Sequence, residues 1–324
     1  MRVITADGVN DAYEAALHWM KLAGEKADSR NGTVMRARTP VTTAYQKPHQ
    51  RVLFDSKRDA NPYFHLMEAL WMLAGRNDVA PMAKYNSTIG QFSDDSVTLN
   101  GAYGFRWRGY FDMDQVKWAV RHLHQNPDSR RCVIGMWAPA DDNRAVDGGT
   151  LDVPCNTQIY FLRRGLNLDM TVTNRSNDII WGCYGANVVH MSIFHEYVCA
   201  MLGMEMGAYY QVSNDWHMYE KHFPLLDHTT SVEDMVYPNS LPLVGQGDYP
   251  SADLPMEANQ FFDSGGKMHM WRSRFMRNVV QPMEFSWRYH KEGDKAGAHN
   301  WANEIKADDW RKACVEWINR RTYK

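Results

Sequence analysis

Residues 151–219 of the chain read LDVPCNTQIYFLRRGLNLDMTVTNRSNDIIWGCYGANVVHMSIFHEYVCAMLGMEMGAYYQVSNDWHMY. Apolar and polar residues alternate over 157–162 and again over 168–174, which predicts two strands joined by a hairpin turn. The segment 187–202 is apolar on several sides and predicts a central helix, and a third strand is predicted over 207–213. Two paired strands, a buried helix and a further strand indicate an α+β fold.

The sequence outside this stretch predicts helices that pack on the sheet. Helical patterns cover about 10–24, where Asn10 can cap the first turn, and about 61–75. A C-terminal helix is expected over about 307–320, whereas 236–266 is rich in Pro, Gly, Ser and Asp and predicts a loop-rich insertion. We therefore expect a single domain over the 324 residues, with a large, mixed, twisted sheet packed by helices.

The composition narrows the class of protein. A net charge of −2 argues against bulk binding to nucleic acid or membranes, and no apolar run is long enough to span a bilayer. The first residues lack the apolar core of a signal peptide. Five cysteines without close spacing predict neither a disulfide framework nor a zinc site, so we expect a reduced, cytoplasmic protein that uses no metal.

Cys155 is the candidate nucleophile. It follows Pro154, which stiffens the backbone, and it precedes the first predicted strand. The second strand is followed by Arg175-Ser176, and nearby guanidinium groups are expected to lower the pKa of the thiol and favour the reactive thiolate. A buried, inert cysteine is the commoner role of a single cysteine. That role is assigned to the remaining cysteines, which are Cys132, Cys183, Cys199 and Cys314.

Four arginines could together hold a dianion. Arg175 with Ser176 at a strand end is typical of a phosphate ligand pair. Arg30 lies in a polar loop, whose simpler interpretation is a turn. Arg130 and Arg131 enter a strand that is predicted to be buried, so a solvated surface, an anion and a partner subunit all stay open as their environment.

Four further polar residues stand out. Glu68 is the only acid in the apolar run 64–73, so it is either paired in the core or active as an acid or base in a cleft. Asn187 can donate and accept at once, which suits the imide edge of uracil, although it could equally cap the long helix. His217 and Tyr219 point the same way on an extended segment and could both reach a sugar hydroxyl.

Together these residues resemble the thymidylate synthase and pyrimidine nucleotide hydroxymethylase superfamily. The resemblance extends over roughly residues 30–219. Its most specific motifs are Pro154-Cys155, Arg175-Ser176-x-Asp178, the glycine and Asn187 before the long helix, and Asp215-x-His217-x-Tyr219. The helix that carries Glu68 and the run Asp128-Ser129-Arg130-Arg131 follow in the order that the superfamily shows.

The resemblance implies a covalent mechanism. Cys155 would add to C6 of the pyrimidine ring, and C5 would then attack the methylene of 5,10-methylenetetrahydrofolate, which acts as co-substrate. Glu68 resembles the general acid/base of the family, and Tyr103 resembles a residue that helps to remove the C5 proton. Asn156 follows the nucleophile, where the synthases carry a histidine.

The resemblance also implies how the ligands bind. Within one subunit the phosphate ligands would be Arg30, Arg175 and Ser176. The second subunit of a homodimer, formed across the sheet, would donate Arg130 and Arg131. The remaining implied roles are base recognition by Asn187, binding of the sugar 3′-hydroxyl by His217 and Tyr219, and binding of the folate by Asp178 and Gly182.

Departures from the synthase pattern favour a hydroxymethylase. A synthase must keep water away from an exocyclic methylene, and the family does this with a tryptophan-rich segment and a closing C-terminal tail. Residues 89–95 contain no tryptophan, the last residues form a charged helical pattern rather than an apolar tail, and Asn156 replaces the histidine. Water would then add to the methylene, so the favoured activity is a dUMP hydroxymethylase that serves the synthesis of modified DNA bases.

Three alternatives stay open. The chain could be a thymidylate synthase with a divergent folate cleft, or a hydroxymethylase of dCMP or CMP. The turn 182–187 is one residue longer than in the synthases, which leaves the role of Asn187 and the identity of the base open. A nucleotide- or RNA-binding relative without catalysis is the third alternative.

Overall fold

The computed structural model of the chain describes residues 1–231, 233, 236–243, 253–267 and 270–323. The strands are β1 (Arg2–Ala6), β2 (Gly24–Ser29), β3 (Gly32–Ala37), β4 (Val41–Tyr45), β5 (Val133–Gly135), β6 (Asn156–Arg164), β7 (Asn167–Asp178) and β8 (Glu205–Tyr219). Within the described residues they form one mixed sheet in the order β1-β4-β8-β7-β6-β5, and β3 pairs with both β2 and β8. The predicted α+β class with a mixed sheet is confirmed.

Helices pack against this sheet and around its ends. They are α1 (Val9–Ala23), α2 (Pro62–Leu73), α3 (Val79–Ala83), α4 (Tyr103–Arg108), α5 (Gln115–Gln125), α6 (Pro139–Asp147), α7 (Asn187–Leu202), α8 (Asp253–Asp263), α9 (Gln281–Lys291), α10 (Lys295–Asn303) and α11 (Asp308–Asn319). Shorter helical turns cover Ile89–Phe92, Ile179–Ala186, Glu220–Asp227 and Met276–Val280. None of the helices in the described part of the chain is long and apolar enough to cross a membrane.

The two longest strands, β7 and β8, pair in parallel at the centre of the sheet. Their register places Ser176 opposite Asp215 and Asp178 opposite His217. On its other side β8 pairs with β3, where Arg36 lies opposite His217. Polar residues from separate motifs of the sequence therefore meet at one end of the sheet.

The buried layer behind the sheet is built from α2 and α7. Asn61 caps α2 by accepting a hydrogen bond from the backbone N–H of Phe64 at 3.1 Å, as its position before Pro62 predicts. Every residue of α2 except Glu68 is buried, and most of α7 is buried as well. Glu68 is therefore the one residue of α2 whose side chain is partly exposed to solvent.

The two faces of the sheet differ in exposure. Exposed and buried side chains alternate along β6: Gln158 and Tyr160 are exposed, whereas Ile159 and Phe161 are buried. This alternation is expected when one face of a strand packs on helices and the other does not. In the single chain, the face that carries Gln158 and Tyr160 is thus open at this strand.

The predicted cap of the first helix is wrong. Asn10 lies inside α1, which follows Gly8. Its amide instead donates to Val52 O and accepts from the backbone N–H of Phe54, both at 3.0 Å. The side chain fastens α1 to a neighbouring segment, a contact that no local pattern predicts.

The prediction of a loop over 236–266 is wrong for its last third. Residues Asp253–Asp263 form α8, because Leu254, Ala258 and Phe261 recur on one face of a helix and are buried. Residues 244–252 of this segment lie outside the described part of the chain. The C-terminal helix α11 occupies the stretch for which the sequence predicts a helix.

A fully buried ion pair joins α4 to α6. The guanidinium of Arg106 makes two hydrogen bonds of 2.7 Å to the carboxylate of Asp142, and neither side chain is exposed. Arg106 also donates to Asn100 O at 2.9 Å and to Met136 O at 2.7 Å. Because Asp142 accepts from the backbone N–H of Ala138 at 2.7 Å as well, both charges are well satisfied.

We predict that Arg106→Met lowers the free energy of unfolding by about 3–5 kcal/mol, because it leaves a buried carboxylate without its cation. Urea unfolding followed by circular dichroism measures the change. Lys117→Met is the control, since the pair of Lys117 with Asp114 is exposed on the lysine side and should leave stability nearly unchanged. Equal stability of the two variants would contradict this account of the Arg106 pair.

Candidate active site

A cavity of about 300 Å³ opens where the ends of β7 and β8 meet the turn between β2 and β3. Its polar lining includes Arg30, Arg36, Arg175, Ser176, His217 and Tyr219. The lining contains three arginines and a single carboxylate, that of Asp215. The excess of positive charge suits an anionic ligand. Residues that the sequence assigns to phosphate and sugar binding are thus brought together in one place.

Arg175 lies between this cavity and the candidate nucleophile. Its guanidinium donates from Nε to Pro154 O and from Nη2 to Val153 O, each at 3.0 Å. Its backbone N–H donates to Cys155 O at 2.9 Å. One residue therefore fixes the segment before β6 onto β7 and places a positive charge near the thiol.

Cys155 is partly accessible, whereas the four other cysteines are buried. Burial of its sulfur raises the pKa of Cys155, the charges of Arg175 and Arg30 lower it, and that of Asp152 raises it. The two guanidinium groups act as predicted, but the net shift of the pKa of Cys155 is upward. Loss of hydration outweighs the two guanidinium groups, and the protonated thiol is favoured near neutral pH.

Tyr103, Asn156 and Asp152 surround the nucleophile. Burial raises the pKa of Tyr103, the neighbouring Cys155 adds to this, and its hydroxyl approaches the Asn156 amide. Asn156 is fully buried, and in the described part of the chain neither of its amide atoms has an aligned hydrogen-bond partner. Asp152 accepts from the backbone N–H of Gly101 at 2.7 Å. This bond ties the loop before Tyr103 to the loop that carries the thiol.

Glu68 meets a buried histidine. Its Oε2 lies 2.9 Å from Nε2 of His190, which is 4% exposed and stands one turn after Asn187 in α7. Considering the described residues, neither ring nitrogen of His190 has an aligned hydrogen-bond partner. Glu68 is thus neither a simple core ion pair nor fully solvated. Its carboxylate faces an imidazole with unused hydrogen-bonding capacity, an arrangement suited to proton transfer.

A row of polar contacts orients His217 at the cavity wall. Asp215 Oδ1 lies 2.9 Å from His217 Nδ1, and Asp215 Oδ2 lies 3.0 Å from Arg36 Nε. The bond to His217 contributes most to a lowered pKa of Asp215, which burial opposes and Arg36 supports. The contact through Nδ1 leaves Nε2 of His217 for a ligand. The hydroxyl of Tyr219 lies on the same strand and 3.5 Å from Nδ2 of Asn31.

The turn Ile179–Ala186 combines a carboxylate with an exposed aromatic ring. Asp178 caps this turn, because its Oδ1 accepts from the backbone N–H of Ile180 at 2.8 Å. Trp181 on the same turn is 46% exposed. The second oxygen of Asp178 and the indole suit a flat heteroaromatic ligand with N–H donors, which a pterin is. The residues therefore fit the folate that the resemblance implies.

Asn187 is the first residue of α7 but does not cap it with its side chain. Its Nδ2 instead donates to Asn177 Oδ1 at 3.1 Å. Gly182 lies against both amides, since a Cβ at this position would stand 2.8 Å from Asn177 Oδ1 and 3.1 Å from Asn187 Nδ2. The interpretation of Asn187 as a simple helix cap is therefore wrong.

The structure does not bring Arg130 and Arg131 into the cavity of the same chain. Both are exposed, and neither belongs to the residues that line the cavity. The backbone N–H of Arg131 donates to Ser129 Oγ at 3.2 Å, which shapes the approach to β5. An exposed pair of arginines is left for solvent or for another molecule.

Four residues of the site were missed from the sequence: Trp181, whose exposure only the structure shows, and His190, Asp152 and Arg36. His190 follows Asn187 by three positions, a spacing that puts both on one face of a helix and could have pointed to it. Asp152 precedes the candidate nucleophile by three positions, but no sequence pattern distinguishes it from an ordinary loop carboxylate. Arg36 reaches the site through the pairing of β3 with β8, which local sequence does not specify. Over the described residues, no group of three or more His, Cys, Asp or Glu could hold a metal ion.

Comparison with known proteins gives consistent matches. Residues 11–243 match the family model described as thymidylate synthase. The chain is 43% identical to the deoxyuridylate hydroxymethyltransferase of Pseudomonas phage M6, over 99% of this chain and 95% of that protein. Proteins of the same name from Bacillus phage SP01 and Delftia phage PhiW-14 are 38% and 26% identical, over 56% and 73% of this chain and 49% and 68% of their own lengths.

We predict that alkylation of Cys155 by iodoacetamide is slow near neutral pH. It should accelerate only at a pH above that at which an ordinary thiol ionises, because burial raises the pKa of Cys155. Arg30→Met removes a charge that lowers this pKa, so alkylation at a fixed pH should become several-fold slower. Mass spectrometry of the Cys155 peptide measures the rate. Arg163→Met, which alters a charge on the hairpin between β6 and β7, is the control, and equal rates in both variants would contradict the prediction.

Proposed function

The chain belongs to the thymidylate synthase family, and on that basis we propose that it is a dUMP hydroxymethylase, which converts dUMP to 5-hydroxymethyl-dUMP. Similarity over almost the whole chain to a protein named deoxyuridylate hydroxymethyltransferase supports this substrate and product. The observation in the site that carries the proposal is the contact of Glu68 Oε2 with His190 Nε2 at 2.9 Å, because a carboxylate beside an imidazole is suited to take a proton from water. Water is the reactant that distinguishes hydroxymethylation from methylation.

The nucleotide binds through the positive end of the cavity. Arg30, Arg175 and Ser176 hold the 5′-phosphate, because guanidinium groups and a hydroxyl at a strand end match its oxygens. His217 and Tyr219, which line the same cavity, bind the 3′-hydroxyl of the sugar. We expect a nucleotide held in this way to extend its pyrimidine ring out of the cavity toward Cys155 and Asn187.

The thiolate of Cys155 adds to C6 of the ring, which turns C5 into a nucleophilic carbon. Formation of the thiolate opposes the raised pKa of Cys155, so the charges of Arg175 and Arg30 assist this step. Tyr103, which lies against the thiol and Asn156, is placed to assist removal of the proton from C5. Glu68 exchanges protons with bound water and with His190.

Enzymes of this family use 5,10-methylenetetrahydrofolate, which supplies the one-carbon unit when bound. Asp178 and Trp181, with the close backbone approach at Gly182, form the surface that would hold its pterin. This surface adjoins the turn that leads to Asn187, so a folate bound there would lie beside the pyrimidine.

The one-carbon unit bonds to C5, C5 loses its proton, and the bond from that carbon to the folate nitrogen breaks so that tetrahydrofolate leaves. Water then completes the reaction on the nucleotide. Its oxygen bonds to the exocyclic methylene at C5, one proton passes to Glu68, and the electron pair of the C=C bond moves toward the C4 carbonyl. The bond from C6 to Cys155 then breaks, the C5=C6 bond re-forms, and the thiolate leaves. In sum, dUMP, methylenetetrahydrofolate and water give 5-hydroxymethyl-dUMP and tetrahydrofolate.

The active form is proposed to be a homodimer with shared sites. Arg130 and Arg131 of the partner subunit complete the phosphate site, which explains why they are exposed and outside the cavity of their own chain. The open face of the sheet, with Gln158 and Tyr160, supplies an interface across the sheet. The net charge of −2 supports action on free nucleotides rather than on nucleic acid, and the five unpaired thiols support a reducing, cytoplasmic compartment.

We predict that the protein releases tritium from 5-tritiated dUMP when methylenetetrahydrofolate is present, and that the products are 5-hydroxymethyl-dUMP and tetrahydrofolate. Cys155→Ala should reduce release by at least about a thousandfold, because the ring carbon is no longer activated. Cys314→Ala, which alters a buried cysteine of α11, is the matched control and should retain release. Formation of dTMP and dihydrofolate would identify a synthase instead, and release from dCMP or CMP alone would identify a cytosine enzyme.

Shared sites predict complementation between two inactive variants. Cys155→Ala and Arg131→Ala should each be inactive alone, and their equimolar mixture after refolding should regain about a quarter of the wild-type activity, because about half of its dimers are mixed and one of the two sites in each mixed dimer is intact. The assay is tritium release after mild denaturation and refolding of the mixture. Absence of any regained activity, in a mixture shown to contain mixed dimers, would contradict the donation of Arg131 across the interface.

A further inference from the structure

A row of buried polar side chains lies behind Asn187. Asn187 Nδ2 donates to Asn177 Oδ1 at 3.1 Å, and Asn177 Nδ2 donates to Gln211 Oε1 at 2.7 Å. Asn177 Nδ2 also donates to Ser213 Oγ at 3.0 Å, and Gln211 Nε2 donates to the hydroxyl of Tyr209 at 2.8 Å. Five side chains on β7, β8 and α7 are thus joined in one direction, from donor to acceptor.

The row fixes which way each amide points. Gln211 Nε2 also donates to the backbone carbonyl of Cys183 at 3.5 Å, and because a carbonyl only accepts, Gln211 turns its oxygen toward Asn177 Nδ2, so the oxygen of Asn177 faces Asn187. If Asn187 turned its amide over, two carbonyl oxygens would face each other. The exposure of Asn177 is 2%, that of Gln211 is 1% and that of Asn187 is 8%, so little water reaches the row to relieve such a contact.

The backbone at Gly182 is what allows the two asparagines to meet. A Cβ there would stand 2.8 Å from Asn177 Oδ1. Any side chain at position 182 would therefore push the Asn177 amide away from Asn187. The glycine serves the row as well as the adjoining folate surface.

The direction of the row decides what Asn187 offers to a base. Its oxygen accepts no hydrogen bond within the described residues, and one N–H of its Nδ2 is free once the other is given to Asn177. An acceptor beside a donor matches uracil, which presents N3–H and the O4 carbonyl. Cytosine presents an unprotonated N3 and an amino group. The acceptor oxygen of Asn187 would then face the acceptor N3, and its N–H would face the donor amino group.

We propose that Asn177 and Gln211 are positioning residues that set the preference for uracil, by holding the Asn187 amide in one of its two orientations. This inference rests on the proposed function, because it assumes that Asn187 contacts the base of a pyrimidine nucleotide. Neither residue contacts the substrate. Both act through Asn187, and the cost of reversing its amide is the cost of leaving buried polar groups unpaired.

The test compares Asn177→Ala with Asn177→Asp. Alanine removes the acceptor, so the Asn187 amide can turn over, and the ratio of kcat/KM for dUMP to that for dCMP should fall on the order of tenfold. Aspartate keeps an oxygen facing Asn187, and its protonated form also donates to Gln211, so the ratio should stay close to that of the wild type. Tritium release from 5-tritiated dUMP and dCMP gives both values, and equilibrium binding of the two nucleotides without folate gives a second ratio.

Gln211→Met covers the case in which Asn177→Ala does not fold. It removes one of the two acceptors of Asn177 and leaves Ser213, so a smaller fall in the ratio is expected. A loss of stability alone would not change the ratio, since both nucleotides use the same folded protein. An unchanged ratio in folded Asn177→Ala, or in Gln211→Met where the first variant is unfolded, overturns the proposal. A wild-type preference for dCMP overturns both this inference and the proposed substrate, and it is visible without any variant.

Discussion

The parallel pairing of β7 with β8 is the constraint on which the site depends. Its register sets Ser176 opposite Asp215 and Asp178 opposite His217, so the residues proposed to bind phosphate, sugar and folate lie within a few positions of one another. A shift by one residue would turn every side chain of one strand to the other face of the sheet. The row behind Asn187 depends on the same register, because Asn177 lies on β7 and Gln211 on β8.

Much of the fold could be predicted from the sequence because its strongest signals are local. Asn61-Pro62 begins α2, the alternation after Cys155 gives β6 and β7, and the apolar run from Asn187 gives α7. The predicted strands stopped at 174 and 213, whereas β7 and β8 continue to Asp178 and Tyr219. These last residues are polar, and they remain extended because neighbouring strands pair with them, which single-sequence patterns do not report.

The candidate site divides in the same way. Spacing and motif identified the residues that face the cavity, but the residues that orient them were found from the structure alone. Arg36 contacts Asp215 across the pairing of β3 with β8, which joins segments far apart in the chain, whereas the contacts of Asp215 with His217 and of Asn177 with Asn187 span only two and ten positions. The direction of the pKa shift of Cys155 also could not be predicted from the sequence, because it depends on how burial of the sulfur balances the nearby charges. Counting nearby arginines in the sequence shows that their charges lower the pKa of Cys155, but it misses burial, which raises this pKa by more.

The raised pKa of Cys155 has a consequence for the chemical durability of the protein. Peroxide and electrophilic metabolites attack thiolates far faster than thiols, so a nucleophile kept neutral while idle resists oxidation and adventitious modification. The four other cysteines are buried and add no exposed thiol. A protein built in this way keeps most of its reactive sulfur as the thiol near neutral pH, and its working lifetime under oxidative stress should exceed that of an enzyme with a permanently ionised cysteine.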